Sequence, residues 1–389
     1  MSFKTTPLSD FVEVNPECIT KAHSHDEIPH IDISSVSSGH FVETPKLLSL
    51  NEAPSRAKRI VRHGDTILAT VRPNLRSFLF VREPEANTIA STGFAVLRAK
   101  ENADPRFIYY AVIDRRFTGY LTNNTKGTSY PAVDTDTVLR GEIPDFNLQR
   151  QQAIASILST YDDLIENNSR RIQLLEGSAR LLYREWFVRL RFPGHEHVKI
   201  IDGVPEGWEK KRLIDIAELI MGQSPKSQFY NDKGEGLPFH QGVTNFGERF
   251  VEHKTYCTAK NRIAEKSDIL CSVRAPVGRL NITLDRIIIG RGLSSIRSKS
   301  DHQSFLYYNL KEHFFKEDMI GGGAIFAAVT KKDMENQELL CPLTGVIEKF
   351  EYISNPIDEQ IKILHNQNIR LKQARDLLLP RLMNEEIEV

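Results

Sequence analysis

The sequence predicts an α+β fold in which two tandem α/β domains are separated by two long antiparallel coiled-coil helices, a pseudo-twofold internal repeat. Three observations carry that expectation. The second half of the 389-residue chain repeats the first, short apolar runs alternate with Gly and Pro breakers, and two late stretches hold apolar residues three and four apart.

The repeat is ordered. Phe107-Ile108-Tyr109-Tyr110-Ala111-Val112 returns as Phe305-Leu306-Tyr307-Tyr308-Asn309-Leu310. Residues 64–74 match 267–278, with Val71-Arg72 over Val273-Arg274, and residues 91–100 match 290–299. Residues 127–133 match 323–329, Ile143-Pro144 matches Cys341-Pro342, and Pro29 and Phe41 lie over Pro238 and Phe250. The offset drifts only between 196 and 209, as small loop changes would produce.

The elements follow in order. A first domain over 1–147 holds β-rich runs at Thr66–Thr70 and Asn87–Leu97. A first spacer helix over 148–190 has Ile154, Ile157, Tyr161, Ile165, Asn168, Ile172, Leu175, Ala179, Leu182 and Trp186 at coiled-coil spacing. A linker over 191–207 leads to a second domain over 208–344, with β-rich runs at Ile269–Val273 and Leu280–Arg297. A second spacer helix over 345–383 repeats the seam with Ile357, Ile361, Leu364, Asn368, Leu371, Leu378 and Leu382, and Pro380 should end or kink it. An Asn near the middle of each seam reads either as a register device or as a wet edge. About 40 residues of helix reach roughly 60 Å, one to two turns of duplex DNA, so the pair can act as a ruler. Phe107, Tyr109, Tyr110 and their counterparts Phe305, Tyr307, Tyr308 look like a stacking ladder but read better as the core face of a helix.

Composition excludes several classes. There is no run of 18 apolar residues and no apolar leader, so a cytoplasmic protein without a membrane partner is expected. Four scattered cysteines suggest neither a disulfide framework nor a zinc knuckle, and His195-Glu196-His197, His23 and His25 read as solvated. The 51 basic and 51 acidic side chains cancel, yet residues 56–82 hold seven Lys or Arg against one acid, and 254–299 hold ten against three. Two local basic segments suit two separate DNA footprints. No phosphate loop, dinucleotide fingerprint or Asn-Pro-Pro-Tyr motif occurs. Gly321-Gly322-Gly323 reads as a turn, and Asp232 with Glu252 and Lys254 is a weak echo of a nuclease pattern.

Several runs carry a family resemblance. Pro205-Glu206-Gly207-Trp208, then Leu213, Asp215 and Met221-Gly222-Gln223-Ser224-Pro225, resemble the opening of a recognition domain in type I restriction–modification specificity subunits. The first domain keeps only Pro7-Leu8-Ser9-Asp10 of that pattern. Residues 179–194 and 374–387 resemble the family's helix ends, Gly127-Thr128-Ser129-Tyr130 its late Gly loop, and Gly323-Ala324-Ile325-Phe326 a poorer copy of that loop. The resemblance implies a non-catalytic, sequence-specific subunit in which each target-recognition domain reads one half of a bipartite target in double-stranded DNA. It implies two methyltransferase subunits recruited through the helices, with restriction subunits joining them. This chain would carry no cofactor; S-adenosylmethionine, ATP and magnesium would belong to the partners.

Side-chain chemistry suggests the DNA contacts, since Arg matches guanine or phosphate and Asn or Gln matches adenine. In the first domain these are Arg72, Asn74, Arg76, Lys126, Thr128, Ser129 and Tyr130. In the second they are Lys226, Gln241, Thr244, Asn245, Arg274 and Arg279. Arg72 and Arg274 could instead pair with Asp65 and Asp268. Leu181, Trp186, Phe187, Leu378 and Leu382 are the candidate partner-binding residues; the end of the first helix carries more aromatic surface than a two-helix seam buries, and that patch is expected to pack against a recognition domain or a methyltransferase subunit.

Overall fold

A computed structural model describes residues 4–19, 27–127, 130–259, 261–316 and 329–389. The chain forms two compact units, Met1–Ser169 with His365–Val389 and Arg170–Leu364.

In the first unit, one four-stranded sheet runs Val12–Val14, Phe94–Ala99, Thr66–Ala69, Phe78–Phe80, all antiparallel. The other runs Lys46–Ser49, Glu27–Ile31, Ile89–Ser91, Ala57–Ile60, with Glu27–Ile31 and Ile89–Ser91 parallel. The second unit repeats both orders and adds one edge strand, Tyr230–Asn231, to the second sheet. Its sheets run Ala217–Met221, Leu293–Ser298, Ile269–Ser272, Leu280–Ile282, and Tyr230–Asn231, Tyr256–Cys257, Leu237–His240, Ile287–Ile289, Ile263–Ala264. Again one pair is parallel, Phe239 opposite Ile288.

Register refines the repeat. Ala69 lies opposite Phe94 in one unit and Ser272 opposite Leu293 in the other. Thr70 and Val273 then donate to the carbonyls of Gly93 and Gly292. Val71 therefore corresponds to Arg274, and matching Val71-Arg72 with Val273-Arg274 is one residue out of step. The β-rich run over Asn87–Leu97 holds two strands, broken at Thr92-Gly93 and divided between the two sheets.

The tyrosine-rich runs are core, as expected. They fall in helices Pro105–Ile113 and Gln303–Lys316, with Phe107, Tyr109, Tyr110, Phe305, Tyr307 and Tyr308 all buried. Asp104 caps the first of these helices, accepting from Phe107 N at 2.9 Å, and Pro105 takes the position where no N–H is needed.

The long helices are Leu148–Tyr183, followed by a π-helical turn at Arg184–Val188, and Thr344–Met383. They pack together, antiparallel, within each unit. In the first, Ile154 and Leu158 join Leu379 and Leu382 in the core, and Asp162 pairs with Arg375. In the second, Tyr183, Trp186 and Phe187 close around Phe350. The early seam differs from the expected one: Ile157 is exposed and Leu158 fills its place. Asn168 and Asn368 are buried and paired, Asn168 Nδ2 donating to Asn368 Oδ1 at 3.0 Å and Asn368 Nδ2 to Ser169 Oγ at 3.1 Å. This is the register device rather than the wet edge, since any slip would bury unpaired amides. Pro380 does not break the second helix, which runs three residues past it, and Pro356 lies within it too.

Candidate nucleic-acid interface

Each unit is braced by the same buried ion pair, and this decides what its exposed arginines are free to do. Asp65 accepts two bonds from Arg98, each 2.8 Å, and one from Arg62 N at 2.7 Å. Asp268 accepts two from Arg297, at 2.6 and 2.9 Å, and one from Glu265 N at 2.9 Å. Both carboxylates are buried. The aspartates once open to Arg72 and Arg274 are thus engaged elsewhere, and both of those arginines are exposed.

In the first unit the structure brings Arg72, Asn74, Lys126 and Tyr130 to neighbouring turns. Arg72 sits at φ +47° and opens the short turn Pro73–Leu75, where Asn74 is exposed. Its N–H donates to Pro131 O at 2.8 Å, and its guanidinium lies 5.6 Å from the Tyr130 ring centre. Lys126 and Ala132 exchange backbone bonds of 2.8 and 3.1 Å, closing the loop between them. Gly127 there has φ +87°, and a Cβ on it would stand 3.2 Å from Tyr130 O. Lys126 Nζ is 2.8 Å from Asp134 and holds that carboxyl well below the usual range, helped by bonds from Thr137. Thr128 and Ser129 lie outside the described residues, as do His23, His25 and Gly321 to Phe326. Arg76 turns the other way, donating to Thr118 Oγ1 at 2.9 Å and Ile113 O at 2.8 Å, so it fastens the turn to the helices behind it.

In the second unit Arg274 and Arg279 flank one hairpin tip. Ser272 N donates to Arg279 O, Arg279 N to Ser272 Oγ, each at 2.9 Å, and the tip holds a cis Ala275-Pro276 bond. Gln241 belongs to a second cluster. Ser224 Oγ donates to Gln241 Oε1 at 2.8 Å and accepts from Arg291 N at 3.2 Å, with exposed Lys226 just beyond Pro225. The strands meet there because they lack side chains: a Cβ on Gly222 would come within 2.1 Å of Gly290 O, and one on Gly290 within 2.8 Å of Gln241. Exposed Arg291, between Gly290 and Gly292, escaped the sequence reading although a lone Arg between two glycines was its visible mark. Thr244 and Asn245 occupy a separate short turn, Val243–Asn245.

Behind Gln241, buried His240 Nε2 is 2.9 Å from His253 Nδ1, and His253 Nε2 is 3.0 Å from Asp285. Burial, then His253, pushes His240 down to about 4. Burial likewise pushes the Cys271 thiol up to about 12, which leaves it inert near neutral pH. Glu252 and Lys254 pair with each other at 3.8 Å. His195 Nδ1 is 2.8 Å from Phe192 O in a surface turn. Among the described residues no three His, Cys, Asp or Glu are grouped to hold a metal, and no helix is long and apolar enough to cross a membrane.

The expected partner-binding set needs correction. Trp186 and Phe187 lie in the π-helical turn and are buried, and Phe187 meets Phe305 at 5.1 Å and Trp208 at 5.9 Å between ring centres. Leu382 is core and Leu378 is half-buried, so only Leu181, 60% exposed, is available. The helices expose other apolar residues that the seam count passed over: Leu164 and Leu174 on the first, and Tyr352, Ile363 and Leu377 on the second.

Comparison with known proteins follows this geometry. The family described as type I restriction modification DNA specificity domain matches twice, over residues 2–177 and 205–373. The MjaX type I restriction enzyme specificity subunit of Methanocaldococcus jannaschii is 34% identical over 253 residues, 64% of this chain but only 60% of that protein. The HindI specificity subunit of Haemophilus influenzae is 26% identical over 442 aligned positions, covering 94% of this chain and 95% of that one. The solved type I restriction–modification S subunit from M. genitalium shares the fold, with a TM-score of 0.56 at 15% identity over 98% of this chain and 96% of that one.

Proposed function

The chain belongs to the type I restriction–modification specificity subunits, and from that premise we propose that it reads a bipartite target in double-stranded DNA, one half-site per β-rich domain. The recognition domains are taken as 1–147 and 208–344, and the spacer helices as 148–190 and 345–383. The observation that carries this reading is the shared frame with unlike loops. Both units keep the same strand orders and the same buried Asp–Arg brace, while the exposed polar residues differ: Arg72, Asn74, Lys126 and Tyr130 in one, Lys226, Gln241, Arg274, Arg279 and Arg291 in the other. A constant scaffold with variable donors is what sequence readout by side chains requires.

Recruitment belongs to the helices. Leu174 and Leu181 on the first, with Tyr352, Ile363 and Leu377 on the second, offer the apolar surface that two methyltransferase subunits would cover. This chain then supplies specificity alone, in the cytoplasm, and the methyltransferase and restriction subunits bring S-adenosylmethionine, ATP and magnesium. Co-expression with a methyltransferase subunit tests the reading: one copy of this chain should co-purify with two of the partner, and this chain alone should bind no S-adenosylmethionine. A chain that stays monomeric beside its partner, or that binds the cofactor saturably alone, contradicts it.

A further inference from the structure

The segment that carries Thr244 and Asn245 is anchored at its far end. Phe246 pairs with Val251, Glu252 N donates to Asn245 O at 2.9 Å, and Gly247 N donates to Phe250 O at 3.1 Å. A Cβ on Gly247 would stand 2.6 Å from Phe250 O, so this tight turn depends on glycine. The turn's Arg249 would be solvated on an ordinary surface loop, yet its side chain is only 3% exposed. Its Nη1 donates to Glu176 Oε1 and to the Tyr308 hydroxyl, each at 3.1 Å, and its Nη2 to Asp358 Oδ1 at 2.6 Å. The guanidinium also lies 4.6 Å from the Tyr307 ring centre. Glu176 is on the first long helix and Asp358 on the second. One planar fork therefore ties a short turn to both helices at once, a geometry that lysine's single nitrogen cannot reproduce.

We propose that Arg249 is a positioning residue for the second domain's half-site, holding the 243–252 segment against both long helices so that Thr244 and Asn245 are pre-oriented for DNA. The inference rests on the function proposed above and adds to it a residue that touches no DNA. A turn left free would lose rotational and translational freedom on binding, and anchoring removes that cost beforehand.

The test uses the chain assembled with its methyltransferase subunits, bound in competition to a cognate duplex and to duplexes altered in one half-site at a time. Arg249→Lys should lower discrimination at the second domain's half-site about tenfold, comparable to the penalty for one mismatched base pair, and leave the other half-site unchanged. Glu176→Gln, which keeps the shape and an acceptor oxygen but removes one of the two carboxylate charges, should give a smaller loss at that same half-site. Circular dichroism and a thermal melt establish that each variant is folded at the assay temperature, and Glu176→Gln carries the test alone if Arg249→Lys is not. A purely structural role would lower the melting temperature and leave the discrimination ratio where it was. Full discrimination in a folded variant, or equal loss at both half-sites, overturns the proposal. Failure of the underlying function looks different: the unmodified complex would itself fail to distinguish cognate from altered half-sites.

Discussion

The two units carry the same hairpin in the same place and fasten it in different ways. In the first, Val36 pairs with Phe41 and Ser37 with His40, beside the edge strand Phe78–Phe80. Its tip is Gly39, at φ +84°, whose absent Cβ would come within 2.8 Å of the Tyr109 hydroxyl, and His40 and Phe41 are exposed. In the second, the equivalent hairpin ends in Arg249, and the counterparts Phe250 and Val251 are buried. The helices are nonetheless gripped by an equivalent bond in both units: Tyr110 donates to Asp162 at 2.6 Å, and Tyr308 to Asp358 at 2.9 Å. The arginine that completes the cluster comes from the opposite helix in one unit, Arg375, and from the hairpin in the other, Arg249. Duplication has kept the frame and the tyrosine anchor, while each copy solved the remaining charge with a different element. The second hairpin is tied to the long helices by its own arginine; the first rests on a glycine and is held by packing and by bonds to its neighbours, Gly39 N to Phe78 O at 2.9 Å and Ser38 Oγ to Arg76 O at 3.0 Å.

The largest expected effect tests the shared frame. Asp268→Asn should cost the second unit about 2 kcal/mol, because it breaks a paired buried carboxylate, discounted for the half-exposed arginine. Asp65→Asn should cost the first unit a similar amount, since Asp65 accepts the same two guanidinium bonds from Arg98, which also pairs with Glu17. Denaturant unfolding of each variant checks this, and a marked inequality would break the equivalence.

A comparable effect, restricted to acid, sharpens the contrast. The folded-state pKa of His240 is about 4 against an ordinary 6.5, so between those values the unfolded chain binds a proton that the folded chain does not. The stability this histidine supports is whole above about pH 6.5 and declines as pH falls towards 4, by about 2 kcal/mol at pH 5. Melting curves from pH 7 to pH 5 should show a shallower decline for His240→Phe than for the unaltered chain, and an identical decline would remove His240 from the account.

The smallest effect concerns phosphate. Lys126→Ala should weaken DNA binding alike for all sequences and flatten the salt dependence by about one unit of log–log slope. A change confined to one base position would make Lys126 a base-reading residue instead.

Much of this was visible in the chain. The two asparagines stood out by their spacing, and the structure decides between register device and wet edge. The ordered repeat and the tyrosine-rich core helices follow from periodicity and spacing. Three things did not. Aligning Val71-Arg72 with Val273-Arg274 looked natural because the letters agree, but strand register, with which the equivalence of Asp65 and Asp268 agrees, sets the pairing one residue away. Trp186 and Phe187 looked like surplus surface although the seam spacing already turned Trp186 inward, and the partner of Phe187, Phe305, lies far off in sequence. Arg249 went unnoticed; its partners Glu176 and Asp358 are 73 and 109 residues away in sequence, so no local pattern could announce them.

One measurement addresses the central claim most directly: binding by the assembled complex to duplexes altered in a single half-site, for Arg72→Ala and Arg274→Ala separately. Each variant should lose discrimination at one half-site only, a different one in each case, by about 1–3 kcal/mol if the lost contact is to a base. If both variants weaken the same half-site, or each weakens both equally, the two domains do not divide the target between them.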